Sequence, residues 1–296
     1  MIELSVVIPT YNRLAELRLT IPSLLRQGLA AERYELLVCD SNSTDGTAEY
    51  LAGVAREHSM VRHLPGAYSG RAAARNAGIA AARGRLVVFN DSDIIASEDL
   101  LAVHLRAHDA GRRCAVVGLE VQAKSYEDYL AKSRDPALRE PLHPPSRKRL
   151  GWLYFLTGNA SVSREDLQLV GGFDEEFTGY GHEDLELGYR LQRAGIPIVY
   201  EPQAVNYHLQ DIGFVDQKAK MELAGRSTVR FYRKHRDFDI KLRLGMTPVS
   251  LGIHSLLSRT PSVVSWLDRS AGRSALARTI AYQYHYVSGI KAALHE

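Results

Sequence analysis

The sequence predicts an α/β fold, a mostly parallel central sheet flanked by helices, with a helical C-terminal extension. Three observations carry that prediction. Short, uninterrupted apolar runs recur in the first half and end at acidic residues. Segments of helical period lie between them. From about residue 209 the strand signals stop, and the balance of charge turns basic.

In chain order, Val6-Val7-Ile8 is β-branched and bounded by Pro9; Leu36-Leu37-Val38-Cys39 ends at Asp40; Leu86-Val87-Val88-Phe89 ends at Asn90-Asp91. Runs that are apolar at every position suit strands buried on both faces, as in a parallel sheet. Leu14, Leu17, Ile21, Leu24 and Leu25 recur at helical spacing, with a kink expected at Pro22. The Ala-rich segment Arg71–Arg83 is a strong helix former. Strand–helix–strand repetition of this kind predicts right-handed βαβ units. Val116–Val121 reads as another strand. Ser125–Gly151 carries Pro136, Pro141, Pro144, Pro145 and the basic run Arg147-Lys148-Arg149, and reads as a long irregular loop. Such a loop is either functional or a plain solvated insertion. A helix start near Ser163, a turn at Gly171-Gly172, a helix over Glu183–Arg193 and a strand over Ile196–Tyr200 follow. The extension reads as helical throughout, with Met221–His235 and Ala275–Leu294 as its longer helices. Between them lie Val249–Leu257 and Val263–Leu267, split by Pro261.

A chain of 296 residues suggests roughly two domains, or one large domain with an extension. With 45% hydrophobic and 24% charged residues it is an ordinary globular composition, which excludes disorder, collagen and a disulfide scaffold. The strand-like Leu4–Ile8 follows Met1 so closely that no secretory signal is expected, and no apolar run is long enough to span a bilayer. Cys39 and Cys114 alone fit reduced thiols in a cytoplasm and offer no soft metal site. The net charge of +3 hides an asymmetry: residues 209–296 carry 14 Lys/Arg against 7 Asp/Glu, and the residues before them 23 against 27. An acidic front joined to a basic tail implies two jobs, because net charge reports on partners rather than fold.

Asp40, Asp91 and Asp93 stand where strands end. In an open α/β sheet such positions converge on one crevice, where ligands bind. If extended, Asp91 and Asp93 project to the same side, and two hard oxygen ligands can hold Mg²⁺ or Mn²⁺ while a diphosphate fills other positions. The plainer reading is that these acids cap helices and form turns. Asp40-Ser41-Asn42-Ser43-Thr44-Asp45-Gly46 has the same two readings. Gly66 and Gly70 are either punctuation or a flexible turn that opens a helix beside Arg71 and Arg75 and receives an anion. In the cluster Gly171–Asp184, some acids are helix-start charges, while Glu183 or Asp184 could meet a substrate hydroxyl as a general base. His208, after the next strand, is by itself more simply structural than a metal ligand.

Val7-Ile8-Pro9-Thr10-Tyr11-Asn12-Arg13, Asp40–Thr47, Ala74-Arg75-Asn76-Ala77-Gly78-Ile79, Asp91-Ser92-Asp93, and Gly171–Phe177 with Gly181-His182-Glu183-Asp184 stand in an order that resembles family 2 glycosyltransferases of the GT-A fold. The likeness covers about residues 2–210. It implies a Rossmann-like domain, a nucleotide-diphosphate sugar donor, a divalent metal (Mn²⁺ or Mg²⁺) and inversion at the anomeric carbon. Carried over residue by residue, Pro9, Thr10 and Tyr11 form the nucleotide pocket with Arg13 at its edge, and Asp40 bonds the base. Asp91 lies near ribose and metal, and Asp93 is the main metal ligand. Asp184 is the catalytic base, with Glu183 beside it. His208 matches a downstream histidine that ligates the metal in some members. Arg71 and Arg75 join the donor-binding set. The departures are Cys-Asp-Ser-Asn where Asp-Asp-Gly is common, His182 where a small residue often precedes the acids, and the lack of a Gln-x-x-Arg-Trp motif. The last disfavours a processive synthase.

The resemblance implies transfer of one sugar, a hexosyl or N-acetylhexosaminyl group, to an acceptor hydroxyl, with a UDP-sugar favoured and GDP-mannose next. Residues 1–93 are expected to bind the nucleotide sugar, 94–210 to hold acceptor and catalytic groups, and 211–296 to form the basic extension. Closure of Ser125–Gly151 would exclude water. A nucleotidylyltransferase would want a Gly-rich phosphate loop where Pro9–Arg13 stands. A non-catalytic nucleotide-sugar-binding protein is disfavoured by intact Asp91, Asp93 and Asp184. The expected setting is cytoplasmic, with no nucleic-acid partner. In the extension, Arg230, Arg233, Lys234 and Arg236 neighbour Phe231 and Tyr232, and apolar and aromatic residues follow. These either pack on protein or lie in a membrane interface, where a lipid-linked saccharide would be the acceptor.

Overall fold

A computed structural model describes residues 1–109, 113–139 and 148–296. Strands and helices alternate through the first third: β1 (Leu4–Thr10), α1 (Leu14–Leu25), β2 (Tyr34–Asp40), α2 (Thr47–Glu57), β3 (Val61–Pro65), α3 (Arg71–Ala81) and β4 (Leu86–Phe89). They form a parallel half-sheet in the order β3-β2-β1-β4. Every residue of β1, β2 and β4 is buried, which is why the central runs of these strands, Val6-Val7-Ile8, Leu36-Leu37-Val38-Cys39 and Leu86-Val87-Val88-Phe89, are apolar. Pro22 lies inside α1, and backbone bonding continues from Arg26 N–H to the Pro22 carbonyl at 3.2 Å.

The sheet continues with β5 (Ile94–Ala96), α4 (Leu100–Asp109), β6 (Ala115–Ala123), α5 (Tyr126–Arg134), β7 (Arg149–Leu150), β8 (Ala160–Ser163), α6 (Arg164–Val170), α7 (Glu183–Arg193) and β9 (Ile198–Leu209). β8 pairs antiparallel with both β4 and β6, β9 runs parallel to β6, and β5 and β7 pair antiparallel with β9. The strand read as Ile196–Tyr200 therefore starts later and runs further. Pro202 interrupts it without ending it, because the pairing with β6 slips between Gly118 and Leu119 and passes over the residue that lacks an N–H.

The expected irregular loop over Ser125–Gly151 is corrected in part. Its first third is α5, capped by Ser125 Oγ accepting from Asp128 N–H at 3.2 Å, and Tyr129 packs edge-on against Tyr207 of β9 with centroids 5.2 Å apart. The prolines that suggested a loop sit beyond this helix; Pro136 opens a short 3₁₀ turn. Pro141, Pro144, Pro145 and Arg147, and with them much of the expected water-excluding closure, lie outside the described residues.

The chain divides into two compact units. One holds residues 1–178 and 183–211, the other 179–182 and 212–296. The second is helical: α8 (Phe214–His235), α9 (Phe238–Arg243), α10 (Pro248–Ser258), α11 (Pro261–Ser270) and α12 (Ala275–His295). α8 begins a full two turns before the expected Met221, in a polar stretch that apolar periodicity does not mark. Pro261 occupies the first turn of α11, where its missing N–H costs nothing. No helix among the described residues is long and apolar enough to cross a membrane.

Candidate active site

The loops that follow β1 and β2 are tied to each other before any ligand arrives. Ser43 Oγ accepts from Asn12 N–H, and Asn12 Oδ1 from Thr44 N–H, both at 2.8 Å. Asp45 accepts from Leu14 N–H at 3.0 Å and from the Thr47 hydroxyl at 2.6 Å, so it caps the starts of α1 and α2 together. Asp40, buried at the end of β2, accepts from Ser43 N–H at 3.1 Å and Ser43 Oγ at 2.5 Å, and its other oxygen lies 3.2 Å from His63 Nε2. Pro9 is the last but one residue of the buried β1. Next to it Thr10 Oγ1 is buried with no hydrogen-bond partner among the described residues. Tyr11 is exposed, and Arg13 reaches sideways to Glu16 at 2.8 Å.

Three residues of α3 organise the segments around Asp91, Phe173 and Glu183. Arg75 is 1% exposed and donates from Nη2 to Asp91 Oδ1 at 2.7 Å and from Nη1 to Glu183 Oε1 at 3.2 Å. Its guanidinium also lies 5.4 Å from the Phe173 ring centre. Arg71, one turn earlier and more exposed, adds a 3.0 Å contact from Nε to the same Glu183 oxygen. Asn76 holds the Gly171-Gly172-Phe173 turn by exchanging bonds with Phe173, N–H to Oδ1 at 2.8 Å and Nδ2 to carbonyl at 2.9 Å. A Cβ on Gly172, whose φ is +68°, would come within 2.6 Å of Asn76 Oδ1. Gly78 has no room for a Cβ because Val7 and Cys39 of the sheet lie against it.

Burial and the neighbouring Glu183 push the Asp184 carboxyl up to about 7, against the pull of Arg75 and Arg71. Glu183 has Oε1 shared by two arginines, while Oε2 is buried with no partner among the described residues. Asp184 as a residue is partly covered. Asp91 is also pulled in two directions: burial raises its carboxyl, but Arg75 and Arg71 outweigh burial and hold it below the ordinary value.

Asp91-Ser92-Asp93 is a turn rather than extended chain, closed by Ile94 N–H to the Asp91 carbonyl at 3.2 Å and braced by Asn90 Nδ2 on that carbonyl at 2.8 Å. The expectation that the two acids project together from a strand is therefore corrected: Asp91 pairs with Arg75, and Asp93 faces His208. The antiparallel β5–β9 pairing makes the second meeting, with Leu209 N–H on the Asp93 carbonyl at 2.9 Å. His208 Nε2 lies 3.5 Å from Asp93 Oδ1, and Nδ1 lies 3.1 Å from Glu120 Oε1. Burial alone would lower this imidazole; the two carboxylates raise it to about 10.

Glu120 is absent from the sequence reading. It stands on β6 two residues before Gln122, the residue in register with His208, so the same face of the sheet presents all three. Its Oε2 fits only because residue 158 is glycine, since a Cβ there would overlap it. Alternation along Val116–Val121 offered a weak signal for an inward carboxylate, but nothing local pairs it with a residue 88 positions away. His182 has a left-handed backbone, φ +73°, which explains why a small residue suits this position. Its ring is not a ligand in waiting, since Nε2 bonds Thr228 Oγ1 at 2.8 Å within the helical unit.

Acids at strand ends, a buried arginine joining Asp91 to Glu183 at the start of α7, and a neighbouring carboxyl raised towards neutrality suit a transferase-type site of the GT-A architecture. Residues 5–168 match the model described as glycosyl transferase family 2, and the chain belongs to that family. Residues 143–210 also match one described as the N-terminal domain of galactosyltransferase. Among curated relatives, validoxylamine A glucosyltransferase of Streptomyces hygroscopicus subsp. jinggangensis is 34% identical over 222 residues, 66% of this chain and 52% of that protein. Pre-mycofactocin glycosyltransferase of Mycobacterium tuberculosis is 30% identical over 275 residues, 88% of this chain and 55% of that protein. The chain thus spans about half the length of these relatives. Its fold is similar to that of a mannosyltransferase from Pyrobaculum calidifontis in complex with GDP-Man and Mn²⁺, with a TM-score of 0.69, 18% identity and coverage of 99% of this chain and 87% of that one. S. aureus TarS 1–349 in complex with UDP-GlcNAc gives 0.59 at 16% identity, covering 99% and 92%.

The family implies a divalent metal, and the donor set admits one. Asp93 and His208 bring a carboxylate oxygen and an imidazole nitrogen to within 3.5 Å. No group of three or more such side chains gathers among the described residues. Coordination positions would thus be left for a diphosphate and water.

Proposed function

We propose that the protein is an inverting glycosyltransferase that moves one sugar from a nucleotide-diphosphate donor to an acceptor hydroxyl, with Asp184 as general base and a divalent metal as cofactor. The observation that carries this reading is the Arg75 bridge. One buried guanidinium ties Asp91, at the donor end of β4, to Glu183, the neighbour of the base. The donor half is residues 1–93 and the acceptor and catalytic half residues 94–210.

Asp93 and His208 would hold Mn²⁺ or Mg²⁺, which supplies charge neutralisation to the departing diphosphate when bound. Thr10, with Pro9, Tyr11, Arg13 and Asp40, lines the nucleotide pocket; the unpartnered Thr10 hydroxyl and Glu183 Oε2 are free to bond the donor. Asp184 takes the proton from the acceptor hydroxyl as that oxygen attacks the anomeric carbon from the face opposite the leaving group. Glu183, held in place by Arg71 and Arg75, accepts from a sugar hydroxyl.

A UDP-sugar is the favoured donor and GDP-mannose the next. The setting is cytoplasmic, at the inner face of a membrane, with a lipid-linked saccharide as acceptor. The test needs no acceptor: nucleotide sugars are screened by titration calorimetry and slow donor hydrolysis, with Mn²⁺ and in excess chelator. Metal-dependent binding that Asp93→Ala abolishes is expected. Equal binding and hydrolysis in chelator would remove the metal from the account.

A further inference from the structure

The helical unit uses most of its aromatic side chains internally. Phe231 is fully buried, Tyr282 stacks on Phe214 with centroids 5.3 Å apart, and Tyr284 stacks on His254 at 4.5 Å. These aromatic residues therefore serve packing. A different set is left outside. On α10, Val249, Ile253 and Leu256 are 70%, 57% and 66% exposed. Their spacing, i, i+4, i+7, puts them on one helix face. On α11, Val263 and Trp266, spaced i, i+3, are 41% and 57% exposed.

The charge around them is one-sided. Residues 248–281 contain four arginines and one acid, Asp268. That acid is occupied by Lys218 at 2.9 Å and His285 at 3.1 Å. Arg259, Arg273 and Arg278 are exposed and make no ion pair among the described residues. Exposed apolar side chains and exposed arginines within one stretch of the helical unit have two needs at once, an acyl phase and anions.

We propose that the exposed face of α10 and α11 docks on the surface of an anionic lipid bilayer. The apolar side chains enter the headgroup–acyl boundary and the three arginines meet lipid phosphates. Trp266 suits that depth, its ring amphipathic and its N–H able to reach water. A second copy of the chain fits this face less well, because a two-fold interface would set the same arginines against one another. The proposal rests on the reading of a membrane-peripheral enzyme and assigns its surface, but the docking is measured without any transfer reaction.

The test is co-sedimentation of the full chain with vesicles of phosphatidylglycerol and phosphatidylcholine in equal parts, and of phosphatidylcholine alone, at low and high salt. Two variants accompany it: Ile253→Glu with Leu256→Glu, and Arg259→Gln with Arg273→Gln and Arg278→Gln. Wild type should pellet with the anionic vesicles at low salt and be released by high salt. The arginine variant should bind on the order of 10²-fold more weakly. All its changes are on the surface, so it remains informative should the glutamate variant not fold. Nucleotide-sugar titration on the same samples keeps the two readings separate: docking without donor binding would fail the catalytic reading alone. Wild type that stays in the supernatant, pellets equally with both vesicles, or is matched by the arginine variant overturns the proposal. So does a wild-type dimer that the glutamate variant dissociates, which would make the face a contact between copies.

Discussion

Asp184 and Glu183 are neighbours with opposite surroundings. Arg71 and Arg75 both contact Glu183, while Asp184 accepts from Leu185 N–H at 2.8 Å and feels the repulsion of Glu183 more strongly than the pull of either arginine. A carboxylate must be ionised to accept a proton, so its task needs pH above its own pKa. With Asp184 raised to about 7, kcat/KM is predicted to fall about tenfold per pH unit below that value, read from a pH–rate profile. Arg75→Leu removes the charge that restrains this rise, so the acid limb moves to higher pH. It also leaves Asp91 and Glu183 without their buried partner, for a loss of about 3–5 kcal/mol in denaturant unfolding. Donor-type behaviour was expected of Arg75 from its place in a helix after a glycine. Its burial was not legible, because its partners lie 16 and 108 positions along the chain.

Among elements, the parallel half-sheet was readable because burial on both faces makes the central runs of β1, β2 and β4 apolar. α7 was readable too, its bounds Glu183–Arg193 set by an acidic first turn and basic last turn. What periodicity could not give was α5, masked by the prolines that follow it, or the antiparallel strands whose partners are remote. The β5–β9 and β6–β9 pairings place Asp93, His208 and Glu120 in line. Glu120 accepts from Nδ1–H, which leaves Nε2 to face Asp93; a carboxylate on one ring nitrogen in this way fixes the orientation of an imidazole whose other nitrogen meets a metal. Glu120→Gln is predicted to weaken Mn²⁺ binding about 10–100-fold by calorimetry, with thermal stability near wild type. Unchanged Mn²⁺ affinity would assign Glu120 to packing alone.

For the molecule as a whole, the charge asymmetry of the sequence divides as the chain does. The α/β unit carries the strand-end acids, and the helical unit carries the unpaired arginines of α10–α12. In the proposed mechanism, binding and proton removal are separate tasks of the first unit: Asp91, Asp93 and the loops after β1 and β2 would serve the donor, and Asp184 the acceptor. The most direct measurement is nucleoside diphosphate release by wild type and Asp184→Asn in Mn²⁺, with donor affinity measured by calorimetry on the same preparations. Asparagine keeps the shape and removes the proton acceptor, so donor affinity should hold while turnover falls about 10²–10⁴-fold. Turnover near wild type at unchanged donor affinity would contradict the account and move the base elsewhere.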